Sequence, residues 1–200
     1  MKRILLSVYS VMRQNSGWKV SFFYLFLMGI QVSSVHGVGI QFVDVTRAVG
    51  INFIHHSGIS DEKRLPETDG SGAAFFDYDG DGDQDLYLVN SGDLITGRGP
   101  WKNALYRNEG GLFVDVTSKT NSAGDAYGMG VVAADYDSDG DADLYLTNWG
   151  PDMLYRNEGS AFTDQTKASK LSNDAWGSSA AFFDYDNDGW LDLFMANGAT

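Results

Sequence analysis

The chain has 200 residues, 43% of them hydrophobic and 14% aromatic, which is enough for one domain with a core and far from the composition of a disordered chain. Its 14 basic against 27 acidic residues give a formal net charge of −13, which disfavours nucleic acid and anionic membrane and suits cations or basic partners. With no cysteine, thiolate metal sites, covalent haem attachment, cysteine nucleophiles and disulfides are all excluded.

In chain order, the first feature is an export signal. Lys2, Arg3, Arg13 and Lys19 precede the apolar "FFYLFLMGI" of residues 22–30, and the smaller, more polar "QVSSVHG" follows. That is the charged, apolar, small-residue order of a cleaved leader. Nine apolar residues are too few for a bilayer span, which needs ~20; an uncleaved anchor or a buried strand is the alternative. Residues 1–37 are expected to be a signal peptide, cut within residues 34–37, with Met12 a more ordinary start than Met1. The mature chain is expected to be secreted, periplasmic or on the cell surface, without a membrane span.

Residues 38–200 repeat themselves. "FFDYDGDGDQDLYLVN" at 75–90 returns as "AADYDSDGDADLYLTN" at 133–148 and "FFDYDNDGWLDLFMAN" at 182–197. "ALYRNEG" at 104 returns as "MLYRNEG" at 153, and "FVDVT" occurs at 42 and 113 with "FTDQT" at 162. The second interval is 49 residues, as from Asp135 to Asp184, whereas the first unit carries insertions around "IHHSGISDEKRLPET" and "LITGRGPW". Within the second unit, "GVVAA", "LYLTN", "MLYRN" and "FTDQT" are four short runs with strand composition, separated by Asn, Asp and Gly turns. No helical period follows residue 40. Four strands repeated at this length predict an all-β fold of β-propeller blades, each with four antiparallel strands, incomplete at about two and a half blades. A β-solenoid or a string of separate β modules is the alternative, although solenoid rungs are usually shorter.

Fourteen of the 27 acidic residues lie in three windows of this repeat. Numbered from its first aspartate, each loop has carboxylates at positions 1, 3, 5 and 9. These are Asp77, Asp79, Asp81 and Asp85; Asp135, Asp137, Asp139 and Asp143; and Asp184, Asp186, Asp188 and Asp192. Glycine stands at position 6 each time, and position 7 is Asp83, Asp141 or Trp190, as expected if only its backbone carbonyl is used. Four neighbouring carboxylates repel unless a cation lies between them. An all-oxygen set of this size suits Ca2+, with ~6–8 ligands, better than magnesium, and the lack of His or Cys in the loops argues against zinc and copper. About three calcium sites are expected. An EF-hand would need Glu at position 12 and flanking helices, but position 12 is Leu88, Leu146 or Met195.

The "FDYDxDGxxDLYLxN" core followed by "LYRNEG" and "FxDVT" resembles the FG-GAP/VCBS repeats of integrin-α-like propellers. "FIHHSG" at 53–58 and "LPETDGSGAAFFDYDGDGDQDLY" at 65–87 are most similar to the cartilage acidic protein (ASPIC/UnbV-associated) family. The resemblance covers about residues 40–200 and implies calcium in the hairpin loops and a secreted or cell-surface module that binds a protein or glycan ligand, without catalysis. A propeller needs at least ~4 blades to close, so the chain reads as a fragment whose full-length form has further blades or a C-terminal domain. The other functional reading is an exported enzyme that uses the propeller as a scaffold, with His55 and His56 near Asp61 and Glu62 as its candidate groups. Those histidines are expected instead to fix the first insertion, and Tyr78, Tyr136 and Tyr185 to pack between blades, leaving Trp101 and Trp149 as the better candidates for a partner surface.

Overall fold

A computed structural model describes residues 41–171 and 173–198; the predicted signal peptide lies outside them. Asp44–Thr200 forms one compact unit. Its first sheet contains β1 (Ala73–Phe76), β2 (Asp85–Leu88), β3 (Ala104–Asn108) and β4 (Phe113–Asp115). The second contains β5 (Tyr127–Ala134), β6 (Asp143–Trp149), β7 (Met153–Asn157) and β8 (Phe162–Asp164). Both are antiparallel meanders in sequence order, and β9 (Gly177–Phe183) with β10 (Asp192–Asn197) forms a third, two-stranded sheet. The predicted all-β architecture is therefore present, as two four-stranded blades and a hairpin that do not close into a barrel.

The register follows the repeat. Leu86 pairs with Tyr106 and Tyr106 with Asp115 in the first sheet, while Leu144 pairs with Tyr155 and Tyr155 with Asp164 in the second. Because side chains alternate along a strand, each sheet presents one row of the "LYL" run to each neighbouring layer. Tyr87, Val89, Leu105 and Phe76 of the first sheet pack against Leu144, Leu146 and Phe162 of the second. On the first sheet's other side, Ile51 and Phe53 pack against Leu86, Ala104 and Tyr106. Tyr145 of the second sheet meets Phe182 of the third, edge to face, with ring centroids 6.4 Å apart.

The inner strands approach closely because their residues are small. A Cβ on Gly72 would lie 2.8 Å from the Gly130 Cα, so any larger residue would push β1 and β5 apart. Strand ends are closed by equivalent side chains: Asn90 N donates to Asn103 Oδ1 at 2.8 Å, and Asn148 N donates to Asp152 Oδ1 at 2.7 Å.

Two one-turn helices, α1 (Thr117–Thr120) and α2 (Thr166–Ser169), follow the fourth strands, where no helical period is present in the sequence. Four residues are too few to show a 3.6-residue period. Each ends on a left-handed residue, Asn121 or Lys170. A short 3₁₀ turn, Leu65–Thr68, sits in the first insertion with Pro66 in its first turn. Among the described residues, no helix is long and apolar enough to cross a membrane.

Candidate metal centre

Each acidic loop joins the first strand of a sheet to the second. The position 1 carboxylate closes it: Asp135 Oδ1 accepts from Asp139 N at 3.1 Å and Oδ2 from Gly140 N at 3.0 Å. Asp184 does the same with Asp188 N and Gly189 N, and Asp77 with Asp81 N and Gly82 N. The curl requires left-handed backbone at positions 4 and 6. Gly82, Gly140 and Gly189 have φ of 93°, 98° and 92°, and position 4, occupied by Gly80, Ser138 and Asn187, has φ of 73°, 60° and 61°. Glycine at position 6 takes this conformation without a steric penalty.

The fold then draws three carboxylates of each loop together. Asp77, Asp79 and Asp85 form one group, Asp135, Asp137 and Asp143 a second, and Asp184, Asp186 and Asp192 a third, each with one carboxylate oxygen per residue lying within 4.8 Å of the others. Oxygens on a single hard cation at ~2.3–2.6 Å can be at most about 5 Å apart, so the spacing fits one ion per loop. Position 9 is anchored to its sheet: Asp85 accepts from Tyr78 N and Asn108 N, and Asp143 from Tyr136 N at 3.1 Å and Asn157 N at 2.7 Å. Both carboxylates are fully buried. Burial pushes Asp85 above the ordinary carboxylate range and Asp143 up to about 6, against the two N–H donors that each accepts.

The position 3 aspartates carry the most direct sign of a missing partner. Asp79 Oδ1 and Asp137 Oδ1 are buried without a hydrogen-bond partner among the described residues, an arrangement that costs free energy unless something compensates it. A cation at the centre of each of these two groups would supply that partner.

Positions 5 and 7 are not brought into the groups of three. Asp81, Asp139 and Asp188 each turn one oxygen to the position 7 backbone N–H, at 2.8, 3.1 and 2.9 Å. Arg156 takes the other oxygen of Asp139 at 2.8 Å and holds its carboxyl below the usual range. The Asp83 side chain accepts from Gly110 N at 3.3 Å, Asp141 Oδ2 lies against Gly159, and Trp190 is 59% exposed. The position 7 side chains thus differ in what they touch, as a site that uses only the backbone there would allow.

Arg156 is a site residue that motif reading passed over, and Arg107 is its counterpart in the first "LYRNEG" run. They sit in β7 and β3, outside the acidic windows, and their sequence signal is only that each is the arginine of a repeated "LYRNEG" run. The histidine candidates sit in hydrogen-bonded and stacked contacts. His55 Nε2 lies 2.9 Å from Ser71 Oγ, Ser71 Oγ 2.8 Å from Ser91 Oγ, and Ser91 Oγ donates to Gly128 O at 3.1 Å. The chain of bonds is complete when His55 donates. His56 stacks on Trp101 with centroids 4.6 Å apart, and Trp149 packs beside Trp176 against Leu94, Tyr127 and Met129. Tyr78 is buried between the blades as expected, whereas Tyr185 is 77% exposed.

Repeated four-stranded sheets, stacked in sequence order and each opened by an acidic loop able to hold a cation, define a propeller-type repeat protein. Two matches to the family model for the FG-GAP-like repeat, over residues 77–146 and 135–195, agree: the chain belongs to the FG-GAP-like repeat family. Each match starts on the first aspartate of one loop and ends inside the second strand of the next blade. No curated protein matches the chain significantly.

Proposed function

We propose that this is a secreted or cell-surface binding and adhesion module, stapled by calcium in its three Asp-rich loops, and that it works by binding rather than by catalysis. The observation that carries the reading is the pair of buried, unpartnered oxygens on Asp79 and Asp137, each inside a repeated three-carboxylate group. All donors are oxygen, which suits a hard divalent ion. With no cysteine in the chain, metal is the available cross-link. The proposed ligands are Asp77, Asp79 and Asp85, Asp135, Asp137 and Asp143, and Asp184, Asp186 and Asp192. Asp81, Asp139 and Asp188 contribute their second oxygen, and Asp83, Asp141 and Trp190 their backbone carbonyls.

The ligand is proposed to be a protein or glycan met by the loops and insertions, and the narrower kinship is with the cartilage acidic protein family. Counting calcium by native mass spectrometry, with thermal unfolding in the presence and absence of a chelator, tests the proposal. About three ions, one for each acidic group, and a large fall in Tm on chelation are expected. No bound calcium and an unchanged Tm would sink it.

A further inference from the structure

The first two loops are nearly identical in sequence, yet their arginines do different things. In the second, Arg156 Nε lies 2.7 Å from Asp137 Oδ2 and its NH2 lies 2.8 Å from Asp139 Oδ2. In the first, Arg107 pairs with Glu109, and among the described residues it makes no ion pair with the loop. The glutamates explain the difference. Glu158, the counterpart of Glu109, accepts a hydrogen bond from Thr163 Oγ1 at 3.2 Å and stands 3.8 Å from Arg156. The residue equivalent to Thr163 in the first blade is Val114, since Arg107 pairs across the sheet with Val114 and Arg156 with Thr163. Valine has no hydroxyl to offer Glu109. Thr163 thus holds the glutamate of the second blade while Arg156 keeps only a long contact with it and reaches the loop, whereas Glu109 has Arg107 as its partner.

We propose that Arg156 is a built-in competitor of the cation at the second loop, set in place by Thr163, so that this loop binds calcium more weakly than the first. The inference rests on the calcium reading above. Asp139 has both oxygens engaged, one by Asp141 N and one by Arg156, and must release the arginine to become a ligand. Asp81 has only Asp83 N on one oxygen and no basic partner among the described ion pairs. A divalent ion at the second loop also meets a positive charge that the first loop directs elsewhere. Two half-buried ion pairs of the strength usual near a surface correspond to a difference of roughly three- to thirtyfold in affinity.

The test is a titration of the full chain with calcium chloride in chelator-buffered solution, reading each loop separately by NMR from the amide signals of Gly82 and Gly140. The half-saturation of Gly140 is expected to lie above that of Gly82, and R156Q to lower it by roughly three- to thirtyfold. T163V, which keeps every charge and serves if R156Q fails to fold, is expected to move Gly140 in the same direction by less, and V114T to raise the half-saturation of Gly82. If R156Q or T163V leaves Gly140 unchanged or raises its half-saturation, Arg156 holds the ligands in place and the proposal is overturned. Failure of either glycine to respond to calcium in any variant is a separate result, and removes the calcium reading itself.

Discussion

The second and third acidic loops share one sequence pattern and one backbone, but not one environment. Asp139 N and Asp188 N each donate to the position 1 carboxylate at 3.1 Å, and Gly140 N and Gly189 N at 3.0 Å. The position 2 N–H reaches the position 9 carboxylate in both, at 3.1 Å from Tyr136 and 2.8 Å from Tyr185. Beyond the loop they diverge. Asp143 is fully buried and also held by Asn157 of a third strand, whereas Asp192 is exposed on a two-stranded sheet. Tyr145 is wholly buried beneath the next sheet, and its counterpart Phe194 is 60% exposed. The loop is thus a local device whose shape travels with its sequence. Its electrostatics depend on the strands packed around it.

The largest effect expected from this contrast is in the core. Leu144→Ala removes a side chain that is fully buried between two sheets and should cost about 2–5 kcal/mol. Leu193→Ala, at the equivalent place in the partly exposed hairpin, should cost less than half as much. Urea unfolding of the two variants measures the difference; equal costs would show that the third sheet is as well packed as the second.

Next in size is the contribution of each ion. If the loops are independent local devices, Asp135→Asn and Asp184→Asn should each remove one bound calcium, together with about 2.7 kcal/mol of stabilisation at a hundredfold excess of calcium over its Kd. Ion counts and unfolding with and without chelator check this. Retention of all ions by Asp184→Asn alone would mean that the exposed loop does not bind as the buried one does.

A smaller effect should follow pH in calcium-free buffer. Burial raises Asp143 in the folded state to about 6, so the folded chain holds that proton more tightly than the unfolded chain. The associated stability is complete below about pH 4 and is lost as pH rises through about 6. Asp143→Asn should gain on the native chain in Tm as pH rises across that window, and a constant difference between the two would contradict the assigned burial. Calcium needs the carboxylate, so its stabilising effect should be weaker at the acid end of the same window.

The smallest effect concerns position 7. Trp190→Asp makes the third loop match the other two, yet should change stability by no more than about 0.5 kcal/mol and leave the calcium count as it was. A gain of a further ion, or of tighter binding, would show that the side chain at this position takes part.

Much of the protein was legible before any coordinates. The repeat located eight strands of the two full sheets to within a few residues, because short Val-, Tyr-, Leu- and Phe-rich runs between Asn, Asp and Gly turns have little choice but to pair with their neighbours. The positions of the loop aspartates were equally plain, since one residue type at fixed odd spacing recurs three times. What spacing could not separate was a carboxylate that enters the three-residue group from one that turns to a backbone N–H or an arginine. Asp137 and Asp139 are indistinguishable as letters, and Arg156 reaches both; the folded loop separates them by turning Asp139 to the Asp141 N–H while Asp137 joins Asp135 and Asp143.

The sequence by itself determined the local order: where the chain turns, which residues curl each loop, and that the strands repeat as blades. Backbone propensities and hydrogen bonds between residues close along the chain set these features, so a motif carries them unchanged from Asp77 to Asp192. Tertiary structure alone decided which carboxylates are buried, which face of each "LYL" run is covered, and where each arginine points. Those outcomes depend on desolvation and on partners far along the chain, as when Asn157 donates to Tyr78 O across the gap between blades at 2.7 Å. Burial belongs to the assembled sheets, and no single repeat contains it.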